Sequence, residues 1–295
     1  MLRTIQNDFL TFVSDDFNVE PWVLRFNDEE SNYFWRPPEI EKIGAAVCFP
    51  LLGSLPDDRY TLDGREYSMP NHGFAKLRRF DVAQHETNSI VYEIRDDEQS
   101  RMQYPYAFRF QVAYILQGTG LRTEYRVENL SDDVMYFSAG GHPRYACPVD
   151  PGSEAPAFAD HYLEFAEAEQ TQNIVKSYGP VEVIERFMRD GGRRLRLDHS
   201  MFEKGCFCYH PFHSREVVIK NSRNSRGLRV SLGNITHLQI WNAPGKPFVC
   251  LEPWYGSITS IPPKAEESDW KQRKGTLRLL PGEKWIDGYT VEPLR

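Results

Sequence analysis

The sequence predicts an all-β fold: a large, mostly antiparallel sandwich or barrel with few short helices. Three observations carry this. Apolar residues alternate with period two over several stretches, as half-buried strands require. Aromatic residues make up 13% of the chain and favour pleated sheet over helix. Twenty Gly and twenty Pro punctuate the chain into short segments.

Each element follows from a local pattern. Residues 59–62 and 65–68 flank Asp63-Gly64, a dipeptide that supplies the positive φ angles of a tight hairpin turn. Residues 91–94 read as a short strand. Phe108, Phe110, Val112, Tyr114 and Leu116 alternate along a longer one, and Gly118-Thr119-Gly120 reads as the turn into a partner at 122–127. Val134 to Phe137 reads as a strand leading to a Gly-Gly-His. Leu228, Val230 and Leu232 alternate, as do Leu238 and Ile240. Residues 276–280 and 285–291 close the series. One helix is expected over 266–274, with Ser268 as its N-cap. The Pro-, Gly- and Ala-bearing stretch 148–159 reads as a loop. No repeat or linker divides the chain, so the 295 residues are expected to form a single domain, 1–295.

Composition excludes several classes. Lys and Arg number 35 against 42 Asp and Glu, a net charge of −7. A mildly acidic chain is a poor nonspecific binder of nucleic acid or of an anionic membrane. No apolar run approaches the roughly 18 residues of a membrane span, and residues 1–10 carry no apolar signal core. Five scattered cysteines (48, 147, 206, 208, 250) fit buried thiols in a reducing, cytoplasmic setting rather than a disulfide framework. Cys206 and Cys208 lack the second Cys or His pair of a zinc site.

Three segments place titratable residues in constrained or apolar surroundings. In Met69-Pro70-Asn71-His72-Gly73-Phe74-Ala75, Pro and Gly bracket a histidine on a loop; alone, this reads as a surface histidine. In Ser138-Ala139-Gly140-Gly141-His142-Pro143, two glycines permit close backbone approach at a strand end. There a ligand role and a core histidine bonded to a carbonyl stand level. In Phe248-Val249-Cys250-Leu251-Glu252-Pro253-Trp254-Tyr255-Gly256, a carboxylate follows an apolar run and precedes two aromatics. An ionised carboxylate there is costly unless paired or used, and burial raises its pKa toward the range of a general acid or base. One Glu and two His point to acid–base chemistry. The spacing 72, 142, 252 matches no metal motif, and no metal is expected. The basic clusters Lys76, Arg78, Arg79 and Arg193, Arg194, Arg196 read as solvated faces, with a phosphate clamp as the functional alternative.

In order and spacing these segments resemble the aldose 1-epimerase (galactose mutarotase) family, in its shorter bacterial branch. The matching residues are Met69 to Lys76, Gly140 to Tyr145, Leu197-Asp198-His199-Ser200-Met201-Phe202 and Leu251 to Gly256, with a fitting Leu280-Pro281-Gly282-Glu283. The similarity spans roughly residue 45 to the C-terminus. It implies a galactose mutarotase-like β-supersandwich that interconverts the α and β anomers of a small-molecule aldose without a cofactor. By the same resemblance, Glu252 is the general base at the C1 hydroxyl and His142 the general acid at the ring oxygen. His72 supports the developing charge, and Asp198 binds sugar hydroxyls. Trp254 and Tyr255 are expected to line the pocket. A monomer or homodimer is expected.

There is one departure. The family's Arg ahead of the first histidine motif is replaced here by Ser54, and Arg78, Arg79 or Arg144 are the candidates to fill its volume. Ser54 therefore keeps two alternatives open: a hexose-6-phosphate mutarotase, suggested by the nearby basic residues, and a carbohydrate-binding protein without turnover. A glycoside hydrolase would need a second carboxylate across the bond from Glu252, and only Asp198 offers itself.

Overall fold

Alternating burial along each segment produces two broad antiparallel sheets. The computed structural model describes residues 1–36, 46–149, 155–260 and 264–295. One sheet has ten strands, ordered Met188–Arg189, Arg194–Arg196, His161–Phe165, Glu216–Asn221, Gly227–Leu232, Lys284–Leu294, Gly120–Asn129, Phe108–Gln117, Ser89–Arg95 and Asp81–His85. The other has seven: Ile174–Ser177, Phe207–Tyr209, His237–Trp241, Phe248–Tyr255, Ala139–Gly141 and Val47–Cys48, with Arg144–Ala146 also on Phe248–Tyr255. The sheets meet through aromatics: Phe49 stacks on Phe110 at 4.3 Å, and Tyr125 meets Tyr255 edge-on at 6.2 Å. Such pairs add directional preference to the area they bury.

The local readings translate directly. Arg59–Leu62 pairs with Arg65–Ser68, and Asp63 and Gly64 both take positive φ, 51° and 76°. Phe108–Gln117 pairs with Gly120–Asn129 across Gly118-Thr119. All five cysteines are buried and free.

Helix is where the structure differs. The helix expected over 266–274 is a single 3-10 turn, Ala265–Ser268, with Lys264 at its N-cap and Ser268 at its end. Asp269 turns extended and bridges to Thr61, which ends the turn. Two short helices were not anticipated. Glu98–Gln103 forms because Asp97 and Ser100 cap each other's backbone; Val181–Glu185 starts after Pro180. Leu2–Gln6, Leu10–Asp15 and Pro21–Phe26 form a further three-stranded sheet. Of the expected loop 148–159, residues 150–154 lie outside the described residues, and Phe158–Asp160 is a 3-10 turn. Among the described residues no helix is long and apolar enough to cross a membrane.

Candidate functional site

The site is built on Phe248–Tyr255, buried along its whole length in the middle of the seven-stranded sheet. Period two divides its side chains. Val249, Leu251 and Tyr255 join the main core, whereas Trp254 turns the other way to pack with Cys48, Leu52 and Cys208. Glu252 shares the Trp254 face and is fully buried. Across the ladder from it stands Gln239, whose Nε2 donates to Glu252 Oε2 at 3.1 Å.

His142 follows the strand Ala139–Gly141, which pairs with Phe248–Tyr255 at Gly140 and Trp254. Only glycine fits there: a Cβ on Gly140 would stand 2.6 Å from Trp254 Cδ1 and 2.8 Å from Pro253 O. This close approach brings His142 Nε2 to 3.3 Å from Glu252 Oε1. The contact is within ion-pair reach, but Oε1 has no aligned hydrogen bond, and His142 Nδ1 is likewise unpartnered.

His72 arrives from a loop with φ of 60°. Its N–H donates to Gly53 O at 2.7 Å, and Gly53 N–H donates to His72 Nδ1 at 3.2 Å. Because Nδ1 accepts, the neutral ring carries its proton on Nε2. The ring lies edge-on to His142 at 5.6 Å and to Trp254 at 5.7 Å. The following Gly73 has φ of 76°, and a Cβ there would meet Phe49 O at 2.1 Å.

Burial dominates the protonation of all three groups. It pushes the Glu252 carboxyl well above the usual carboxylate range, against smaller opposing pulls from Gln239, Lys176 and Arg144. Burial, aided by the positive charges of Arg144 and Lys76, pushes His142 down to about 3. His72 is held well below its ordinary value by burial, then by His142, Lys76 and Lys176. Of the two, Glu252 therefore holds a proton more readily than His142.

The other expected site residues divide. Trp254 backs the site against His72. Tyr255 does not line it: an odd number of residues from Glu252, it points into the core against Tyr125 and Trp285. Arg78 grips Asp97 with both guanidinium nitrogens, at 2.8 and 2.9 Å, away from the site. Arg79 pairs with Asp16. Arg144 faces Cys250 in the ladder, but its guanidinium lies 3.4 Å from the buried Glu20. It acts on His142 through its field rather than as a free donor. Each of these arginines thus has a carboxylate partner. Ser54 accepts from Asn71 Nδ2 at 2.8 Å.

Asp198 caps the turn His199–Phe202, accepting from Ser200 N and Oγ at 2.9 and 2.7 Å. Burial raises its pKa, but Ser200's bonds and the charges of Arg196 and His199 outweigh that and hold it low. His199 of this turn bonds Asn242, the neighbour of Trp241, and Trp241 lies edge-on to His142 at 5.5 Å.

Sequence reasoning missed four participants. Gln239 and Cys250 are fixed by strand register. Lys76, read as part of a solvated face, is half-buried and donates to Asn71 Oδ1 at 3.4 Å. Lys176, on Ile174–Ser177, is buried beside the Trp254 ring, its Nζ 6.0 Å from the ring centre. Donor atoms of His142, Cys250 and Glu252 lie within 4.8 Å of one another, a set suited to a borderline divalent ion; no local spacing announced it.

A buried carboxyl faces an imidazole, with a second imidazole beside it, an arrangement with the groups that acid–base chemistry needs, on a two-sheet β-supersandwich. Residues 18–290 match the family Aldose 1-epimerase, and the chain belongs to that family. It is 31% identical over 276 residues to the chromosomal LacX protein of Lactococcus lactis subsp. lactis, covering 88% of this chain and 90% of that one. Among solved structures, it superposes on a galactose mutarotase related enzyme from Lactobacillus acidophilus with a TM-score of 0.86. The sequences are 24% identical, and the match covers 99% and 97% of the two chains. A galactose mutarotase-like protein from Lactobacillus casei gives 0.80 at 21% identity, covering 99% and 100%. These likenesses support the galactose mutarotase-like fold.

Proposed function

We propose that the protein is a mutarotase that opens and recloses the ring of an aldose by general acid–base catalysis. The observation that carries the reading is the 3.3 Å approach of His142 Nε2 to Glu252 Oε1, a fully buried carboxyl beside a partly exposed imidazole. Ring opening needs a proton taken at one oxygen and delivered at its neighbour. Glu252, as carboxylate, accepts the proton of the C1 hydroxyl. The C1–O5 bond breaks as C1 becomes a carbonyl, and His142, as imidazolium, protonates O5. His72 Nε2–H points its donor at the developing charge. Rotation about C1–C2 and the reverse transfers close the ring to either anomer.

A single proton on the pair suits this cycle. Free, it rests on Glu252. Transfer across the 3.3 Å contact gives the carboxylate–imidazolium form, which sugar hydroxyls solvate on binding. Each turnover returns the same proton count, and ring opening and reclosure change no oxidation state, so no electron carrier is required. The test is anomeric exchange by NMR in equilibrated aldoses, with Glu252→Gln as control. Exchange lost in the folded variant supports the reading; equal exchange in both proteins overturns it.

A further inference from the structure

The site holds positive charge that neither its own residues nor a neutral sugar balances. Lys176 is 6% exposed, and among the described residues it makes no hydrogen bond and no ion pair. Its Nζ lies 3.2 Å from where a Cβ on Gly53 would stand and 6.0 Å from the Trp254 ring centre. Gly53 is the residue that holds His72 Nδ1. Lys76 follows His72 by four residues, and among the described residues its one hydrogen bond is to the neutral amide oxygen of Asn71. Both ammonium charges act on His72. Glu252 feels the charge of Lys176 but makes no ion pair with it among the described residues, and burial pushes its carboxyl well above the usual carboxylate range. The nearby arginines, in contrast, each have a carboxylate: Arg78 with Asp97, Arg79 with Asp16, Arg144 with Glu20.

The Lys176 stem is buried while its ammonium, beside the Trp254 ring, has no carboxylate partner among the described residues, so the anionic group of a ligand can supply the counter-charge. Sugar hydroxyls accept hydrogen bonds but neutralise nothing. We propose that Lys176, with Lys76, forms an anion subsite, and that the substrate is an aldose carrying an anionic substituent, phosphate or carboxylate. This deepens the mutarotase reading and rests on it for turnover but not for binding.

The experiment compares anomeric exchange on a neutral hexose, its 6-phosphate and the corresponding uronate, in wild type, Lys176→Met and Lys176→Arg. Calorimetric binding of the same three sugars runs beside it. Wild type is expected to favour one anionic sugar, chiefly through KM, and the better of the two anions names the substituent. A charge-assisted contact predicts that K176M loses about 10- to 100-fold of that preference, while K176R keeps much of it. Thermal melting of K176M close to that of wild type separates a lost preference from unfolding. Equal handling of neutral and anionic sugars by wild type overturns the inference, as does a preference that survives in K176M. Exchange on none of the sugars fails the mutarotase reading alone; the binding arm then decides the subsite by the same criteria.

Discussion

Glu252→Gln separates two jobs of one carboxyl. The amide keeps the shape and can still meet Gln239, but it cannot carry a proton between substrate atoms. General acid–base catalysis is worth about 10²–10⁴-fold, so exchange should fall by that factor, about 3–5 kcal/mol of barrier. Stability should move the other way. Burial raises the folded pKa of Glu252 above its unfolded value. Such a group stabilises fully below its unfolded pKa, about 4.3, and that contribution is lost as pH rises toward the folded value. The loss runs at up to about 1.4 kcal/mol per pH unit. The variant has no such slope, so it should gain on wild type steadily as pH rises above the unfolded value. Denaturant titrations at pH 5, 7 and 9, read by the fluorescence of the six tryptophans, measure this beside the NMR exchange. Parallel stability curves would refute the claim that burial raises the carboxyl's pKa. Undiminished exchange would refute its role as base.

Three further substitutions probe the same frame. His142 is held at about 3 by burial first and then by Arg144, so its contribution is complete above about 6.5 and is lost as pH falls toward 3. Over that interval it amounts to at most about 5 kcal/mol. His142→Asn should therefore flatten the acid limb of the stability curve, and an unchanged limb would count against the burial argument. Gly73→Ala places a Cβ 2.1 Å from Phe49 O at a φ of 76°. It should cost more than about 3 kcal/mol by thermal melting, and a melting temperature within a degree or so of wild type would contradict the geometry. Tyr255→Phe removes a buried hydroxyl that has no hydrogen-bond partner. Stability should change by less than about 1 kcal/mol or rise, and exchange should stay at the wild-type rate; a fall of about tenfold would return Tyr255 to the pocket.

What was legible in the chain was whatever a short window determines. Asp63-Gly64 specifies its turn because φ preference is local. The alternation of Phe108 to Leu116 specifies a strand because pleating has period two, and the Gly-Gly before His142 announced a close approach that the Trp254 contact explains. Parity carried more than the aromatics suggested: Trp254, two residues from Glu252, shares its face, while Tyr255, three residues away, cannot. Arg78 was misplaced for a different reason. Its partner Asp97 comes from a separate segment, and no local pattern says which of several arginines finds a carboxylate.

Lys176 marks the boundary of what a sequence can disclose about this site. Its strand reaches Glu252 only through two intervening strands, Phe207–Tyr209 and His237–Trp241, so its place depends on the order of a whole sheet. The same sheet fixes Gln239 opposite Glu252 and, through Gly140, sets His142 against it. The acid–base pair and the ammonium group are thus positioned by one rigid set of ladders. Any sugar whose C1 and O5 meet the pair must therefore present the rest of its ring in a fixed direction relative to Lys176. Charge preference at that group is then a property of the sheet's geometry, and an Arg at 176 should preserve it where an Arg restored at Ser54, on the loop bonded to Asn71, should not reproduce it.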